Sequence, residues 1–258
     1  MPVHRCDVAY RGETYKPGGA MILNSSSSPS SETMHFKTLL PLAVLVTAST
    51  LNYNPGIRQR ALPVPADIAT AKQYLAELVI AEPVNNPPYK RTAFPHWIST
   101  GGKCNTREIV LYRDGQNVTR DSECRAVSGT WFSEYDGTTW TNPLDLDIDH
   151  LVPLKEGWIS GAWNWTTERR KMFANDLVRP QLIAVTDDIN QAKGDKDPAF
   201  WMPPLQSYHC TYIRAWIDVK HFYELSVNPK EKVALTNYLE KCETPVLVDN
   251  GLGIENVL

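Results

Sequence analysis

The sequence predicts a single α+β domain, and three observations predict it. Short apolar runs bounded by turn residues, around 108–119, 126–132, 144–150 and 180–185, are interleaved with stretches of helical period. Aromatic residues make up 10% of the chain, eight of them Trp, and the 258 residues include 19 Pro, a composition that weighs against a coiled coil or a helical bundle. No segment repeats, so one domain is the economical arrangement for a chain long enough to bury a sizeable core. The charge sets a further bound. With 26 Lys and Arg against 29 Asp and Glu, a formal -3, no overall basic field draws the chain to nucleic acid or to an anionic membrane, and only a local patch or a metal remains for that purpose.

The first forty-eight residues read differently from the rest. Residues 1–33 end in the polar tract Asn24-Ser25-Ser26-Ser27-Ser28-Pro29-Ser30-Ser31, which has nothing to bury. A further methionine, Met34, follows, then His35-Phe36-Lys37-Thr38, the apolar stretch Leu39 to Val46 and the small-residue exit Thr47-Ala48, the layout of a secretory signal peptide. Ten residues are too few for a stable membrane anchor, which needs about 20. A buried strand or helix over 39–48 is the alternative. The expectation is therefore a leader over 1–33 from an over-extended start, a signal over 34–48, and a working protein from about residue 49 with no membrane attachment.

Ala66 to Ile80 follows Pro63 and Pro65 and places Ile68, Ala71, Leu75, Leu78 and Val79 on one helical face, with Asp67 at the capping position. Pro83, Pro87 and Pro88 end it, leaving 81–103 as a linker that carries Tyr89, Phe94 and Trp97. The runs Glu108 to Tyr112 and Asn117 to Thr119, separated by Asp114-Gly115, read as a hairpin, and Ala126 to Phe132 as a further strand ending near Asp136-Gly137. Leu144, Leu146 and Ile148 alternate with Asp145, Asp147 and Asp149, a half-buried strand with carboxylates on its other face. Lys155 to Trp165 and Thr167 to Asp176 read as helices, and Pro180 to Val185 as a strand returning beside 144–150. A helix capped by Thr186 and stopped by Gly194 comes next, then helices over 206–224 and 229–241 joined at Asn228-Pro229, and a tail over 243–258 without pattern.

Cys6 lies in the leader, so an even set remains beyond it: Cys104, Cys124, Cys210 and Cys242. Three pairings are possible. Cys104 with Cys124 encloses the expected hairpin and Cys210 with Cys242 the last helix pair, which favours these two local bridges. With no Cys-x-x-Cys and few His, a zinc site of Cys and His has little support. Asn117-Val118-Thr119 and Asn164-Trp165-Thr166 have the form of glycosylation acceptors.

Reactive groups concentrate in Asp145-x-Asp147-x-Asp149-His150, followed by Asn175-Asp176, Asn190, Lys193, Asp195 and Asp197. Alternating carboxylates repel one another unless a cation lies opposite, and a solvated acidic face is the alternative. An imidazole beside them adds a group able to accept a proton. The stretch resembles the HNH, or ββα-metal, nucleases: Asp149-His150-Leu151-Val152-Pro153 is similar to their core motif, Asn175 to their central Asn, and Asn190 to their third signature residue. Together with Cys104-Asn105-Thr106-Arg107 and the region from Gly129 to Tyr212, the chain is similar over residues 66–242 to secreted fungal and actinobacterial proteins related to the C-terminal nuclease domain of the GmrSD restriction enzymes.

That resemblance implies an HNH-like ββα-metal motif over 144–195 inside a nuclease domain of residues 104–242, preceded by an N-terminal helix and linker over 49–103. It implies metal-dependent cleavage of DNA, with RNA open, by a secreted monomer that grips mainly the duplex backbone with little regard for base sequence. His150 is expected to activate water, Asn175 to orient His150 or its loop, and Asp149 with Asn190 to hold Mg2+ or Mn2+. Lys193 and Arg107 are candidates for phosphate contacts, and each reads equally as a surface cation or an ion-pair partner. Asp145 and Asp147 are expected to support the strand. Where relatives often carry Asp after the first Cys, this chain has Asn105, which places a carboxylate role there in doubt. Two other classes stay open: a non-catalytic secreted binding or effector protein on the same scaffold, and a phosphoesterase acting on small nucleotides.

Overall fold

The computed structural model describes residues 62–242, all of which fall within one compact unit that begins at Asn54. The expected leader over 1–33, the signal over 34–48 and the tail over 243–258 lie outside the described residues. The fold is α+β, with short antiparallel sheets set among helices. Helix α1 covers Ile68–Glu77, with the Asp67 side chain accepting from the Thr70 amide at 2.8 Å. Its buried Ala71 and Leu75 pack into a core built mainly on α6 (His209–Phe222) and α7 (Pro229–Lys241). Pro229 opens α7, and Asn228 and Glu231 close a reciprocal capping box.

The chain between Cys104 and Cys124 departs from the expected hairpin. Residues 104–105 pair as β2 with β1 (Ser99–Gly101), and Thr106–Asp114 form helix α2. Asn105 is its N-cap, accepting from the Glu108 amide at 3.0 Å, so the residue that departs from the family pattern has a capping role. Ile109-Val110-Leu111 is a strand-like run locally, but only the helix can bury Val110 and Leu111 together against Trp131, whose Nε1 donates to the Leu111 carbonyl at 2.8 Å. A side chain at Gly115 would overlap that indole, so glycine is what fits where the chain leaves α2 for β3 (Gly115–Arg120). β3 pairs with β4 (Ala126–Phe132), and β4 with β5 (Thr139–Trp140), all antiparallel.

The central hairpin joins β6 (Leu146–His150) to β7 (Leu182–Thr186) in the register Leu146 to Thr186 and His150 to Leu182. Every residue of β7 is buried because both faces are covered. Leu182 and Ala184 join Leu146 and Ile148 against α2 and Trp131, whereas Ile183 and Val185 enter the helical core. Leu144, read as strand, lies in a 3-10 turn over Pro143–Asp145 and is exposed. Between the strands run α3 (Leu154–Ile159), shorter than the expected 155–165 helix, and α4 (Thr167–Ala174), capped by Thr166. Helix α5 (Asp187–Lys193) follows β7 at once and ends on Gly194 at φ +57. Thr186 sits at the start of α5, yet its hydroxyl is used elsewhere, donating to Asp136 and accepting from the Trp140 indole.

Both expected disulfides are present. Cys104 and Cys124 have Cα atoms 5.1 Å apart and enclose α2 with β3, and Cys210 and Cys242, at 5.6 Å, tie the first turn of α6 to the end of α7.

Candidate active site

A strand facing a helix supplies the site. Asp147 and Asp149, two residues apart on β6, point to the same side, and Asn190 and Lys193, three apart on α5, meet them. Asn190 Nδ2 donates to Asp147 Oδ2 at 3.0 Å, and Lys193 Nζ to Asp149 Oδ2 at 2.6 Å and to the His150 carbonyl at 2.9 Å. Tyr135 Oη donates to the same Asp149 oxygen at 2.6 Å. Asp149 Oδ1 and the Asn190 amide oxygen make no hydrogen bond among the described residues.

Lys193 takes the ion-pair alternative that the sequence left open, with Asp149 as the partner. Its side chain is fully buried, and its ammonium is spent on Asp149 and a strand carbonyl, so it positions the carboxylate and does not meet a phosphate. Burial pushes the Asp149 carboxyl up and the Lys193 ammonium down, and their contact opposes both shifts. Arg107 lies on α2 outside the cavity, with its guanidinium on Glu108 Oε1 at 3.1 Å and the Leu146 carbonyl at 3.3 Å. It braces the start of β6.

His150 ends β6 with its ring nearly parallel to Trp97, centroids 5.3 Å apart. Nε2 lies 2.9 Å from the Ala174 carbonyl, which can only accept, so Nε2 carries the proton and Nδ1 keeps its lone pair. Nδ1 makes no hydrogen bond among the described residues. Burial pushes the His150 pKa down to about 3, against the help of the Ala174 carbonyl, and the nearby Arg91 charge adds to the depression. The ring is neutral at physiological pH. Asn175 stands behind it. Its Oδ1 accepts from the Ile98 amide at 3.1 Å and Thr106 Oγ1 at 2.8 Å, while Nδ2 donates to the carbonyls of Pro95 and Lys171, both at 2.8 Å. Asn175 thus fixes the segment bearing Trp97 and the turn bearing the Ala174 carbonyl, both of which touch His150, but it does not line the cavity.

Acid should expose this burial as lost stability. Between about 3 and the ordinary 6.5, the unfolded chain binds a proton at His150 and the folded chain does not, so stability falls as pH drops through that window, by at most about 1.4 kcal/mol per unit. Denaturant midpoints measured in EDTA should decline less steeply below pH 6.5 for His150→Ala than for the parent; equal slopes would contradict the buried neutral ring.

Asp149, His150 and Asn190 line one cavity of about 360 Å3 with Tyr89, Arg91 and Lys155. Its charges are largely balanced: Lys155 pairs with Asp195, and Lys193 with Asp149. Arg91 is exposed and enters no ion pair with another described residue. Arg91, Tyr89 and Trp97 fall in the stretch read as a linker, and Tyr135 beside a turn, where no spacing links them to β6. The cluster of aromatics and prolines over 87–97 was the only available signal of a packed segment.

Among the described residues no three His, Cys, Asp or Glu side chains gather to hold a metal ion. The donor set here is smaller, one carboxylate oxygen and one amide oxygen beside a neutral imidazole. It fits a hard cation that keeps most of its ligands as water and substrate oxygens.

Residues 109–238 match the family described as GmrSD restriction endonucleases, C-terminal domain, a span that takes in Asp149, His150, Asn175 and Asn190. An uncharacterized secreted protein of Arthroderma benhamiae is 56% identical over 184 residues, covering 70% of this chain and 90% of that protein. No solved structure matches the chain. No helix among the described residues is long and apolar enough to cross a membrane. At the coarse level the family is one of nucleases, whose substrate is nucleic acid. With the family match spanning half of its length, and a relative of this identity covering more than two thirds of it, the chain belongs to the family of GmrSD restriction endonuclease C-terminal domains.

Proposed function

We propose that this protein is an exported, metal-dependent HNH-type endonuclease that hydrolyses phosphodiester bonds of DNA, and of RNA where the strand fits, with little dependence on base sequence. The observation that carries the reading is the neutral His150, its Nε2 proton committed to the Ala174 carbonyl and its Nδ1 left to a cavity shared with Asp149 and Asn190. Arrangement of β6, β7 and α5 around that cavity supports a ββα-metal motif, with the short helices α3 and α4 inserted between its strands. Export is supported by the signal-like stretch over 34–48, by the two disulfides and by the secreted relative.

In this reading His150 Nδ1 takes a proton from water as the oxygen attacks phosphorus, the bond to the 3'-oxygen breaks, and that oxygen takes up a proton from solvent, giving a 5'-phosphate and a 3'-hydroxyl. Arg91 grips a non-bridging phosphate oxygen in the ground and transition states. Asp149 Oδ1 and the Asn190 amide oxygen are the groups that would hold Mg2+, or Mn2+ in its place. When bound, the cation supplies charge neutralisation at the phosphoryl group and at the departing oxygen. Lys193 and Tyr135 fix the Asp149 carboxylate by its other oxygen, so its free oxygen keeps one direction.

A Mg2+ titration of cleavage tests this division of labour. Asn190→Ala and Asp149→Asn should each need roughly 10- to 100-fold more Mg2+ for half-maximal rate. A metal requirement unchanged in both variants would remove the ligand assignment.

A further inference from the structure

The Lys155 and Asp195 wall of the active-site cavity is shared with a second cavity of about 450 Å3, whose lining includes Glu82, Lys196, Phe200 and Lys230. Phe200 is 63% exposed, yet it is not loosely held. Its amide donates to the Asp197 carbonyl at 3.0 Å, and the buried Asp197 carboxylate takes the Ala199 amide and Asn228 Nδ2, both at 2.8 Å. Lys230 Nζ stands 5.7 Å from the centre of the Phe200 ring. The Lys196 ammonium donates to the Ala192 carbonyl at 2.6 Å, and neither lysine enters an ion pair with another described residue. Among the acids around them, Asp195 pairs with Lys155, Glu156 shares Lys220 with Glu231, both at 2.6 Å, and the Asp197 carboxylate keeps its charge while its oxygens are taken up by amide donors. An exposed aromatic ring on a hydrogen-bonded turn, with two lysines beside it that enter no ion pair with another described residue, matches a planar group attached to an anion.

We infer that this second cavity is a subsite for one unpaired nucleotide next to the scissile phosphodiester, with its base stacked on Phe200 and its phosphate held by Lys196 and Lys230. The inference rests on the proposed nuclease function of the adjoining cavity and names the form of substrate. In an intact duplex the base faces are covered by their neighbours, so the ring can take only a base that is single-stranded or has left the stack. Cleavage of single strands and frayed ends is therefore favoured over cleavage of closed duplex.

The test compares the full chain with its Phe200→Ala and Phe200→Trp variants on one short oligonucleotide, presented single-stranded and as a duplex in Mg2+. For the single strand, Phe200→Ala should raise KM roughly 5- to 100-fold with kcat little changed, and Phe200→Trp should restore it. Duplex KM should stay within about twofold. The doubly substituted Lys196→Gln, Lys230→Gln protein should show a shallower dependence of single-strand KM on salt. A single-strand KM unchanged by Phe200→Ala, or raised equally for the duplex, overturns the subsite while leaving the nuclease reading in place. If the parent protein cleaves neither form, the nuclease reading fails. Anisotropy of the labelled single strand in EDTA then decides the subsite: Phe200-dependent binding supports it, and equal binding by parent and Phe200→Ala, or none, ends it.

Discussion

Replacing His150 by Ala should lower hydrolysis of the phosphodiester by about 10² to 10⁴ while leaving nucleic-acid affinity and the Mg2+ requirement close to those of the parent. The size follows from the role. A positioned base removes the proton as the new bond forms, and bulk water replaces it poorly. His150 is prepared for that work before substrate arrives, since burial keeps the ring neutral and the Ala174 carbonyl fixes the tautomer. His150→Asn is the companion variant. Its side-chain amide can still donate to a carbonyl and sit under Trp97, yet it cannot accept a proton at neutral pH, so it should be as inactive as alanine with less loss of stability. Either variant cleaving at the parental rate would remove His150 from the chemistry and favour a binding protein on a nuclease scaffold.

Lys193→Met should be the most damaging single change to the fold around the site, lowering stability by about 3 to 5 kcal/mol. Methionine fills much of the lysine volume, but it strands Asp149, a buried carboxylate left with Tyr135 as its remaining side-chain donor. Asp149→Leu placed on top of Lys193→Met should recover part of the loss, because the pair then leaves no lone buried charge. Urea midpoints of the parent, the two single variants and the double variant measure this. A surface lysine devoted to phosphate would behave differently, with stability changed by less than about 0.5 kcal/mol and only the affinity for nucleic acid reduced.

These variants mark where sequence reasoning reaches and where it stops. The β6–β7 hairpin and α5 are legible because local signals agree: alternating side chains over 146–150, a short apolar run after Pro180, and Thr186 and Gly194 bounding a helix. The fold class was readable for the same reason; both disulfide pairings hold, although Cys104 and Cys124 enclose α2 and β3 where a hairpin was expected. Helix α2 was not, since Ile109-Val110-Leu111-Tyr112 has strand-like chemistry and the deciding facts are an Asn105 cap and a Trp131 surface contributed from elsewhere. For Lys193 the sequence left phosphate contact and ion pairing equally open, because nothing local distinguishes a lysine that will be buried. Its state depends on a carboxylate 44 residues earlier in the chain that reaches it only after β6 and α5 pack. Arg91 and Trp97 were missed because a loop has no periodicity to read, and their segment is fixed near His150 by distant contacts, from Asn175 to residues 95 and 98, from Arg170 to the Ala93 carbonyl, and through buried Phe94.

The central claim is that the cavity around His150 hydrolyses phosphodiester bonds with a divalent cation. The most direct test incubates the full chain and its His150→Ala variant with single-stranded DNA, linear duplex, plasmid and RNA, each in Mg2+ and in EDTA. The account predicts products bearing 5'-phosphate and 3'-hydroxyl ends from the parent in Mg2+, none in EDTA, and little from the variant in either. Cleavage that persists in EDTA, that is equal in the two proteins, or that is absent from the parent on every substrate would contradict it.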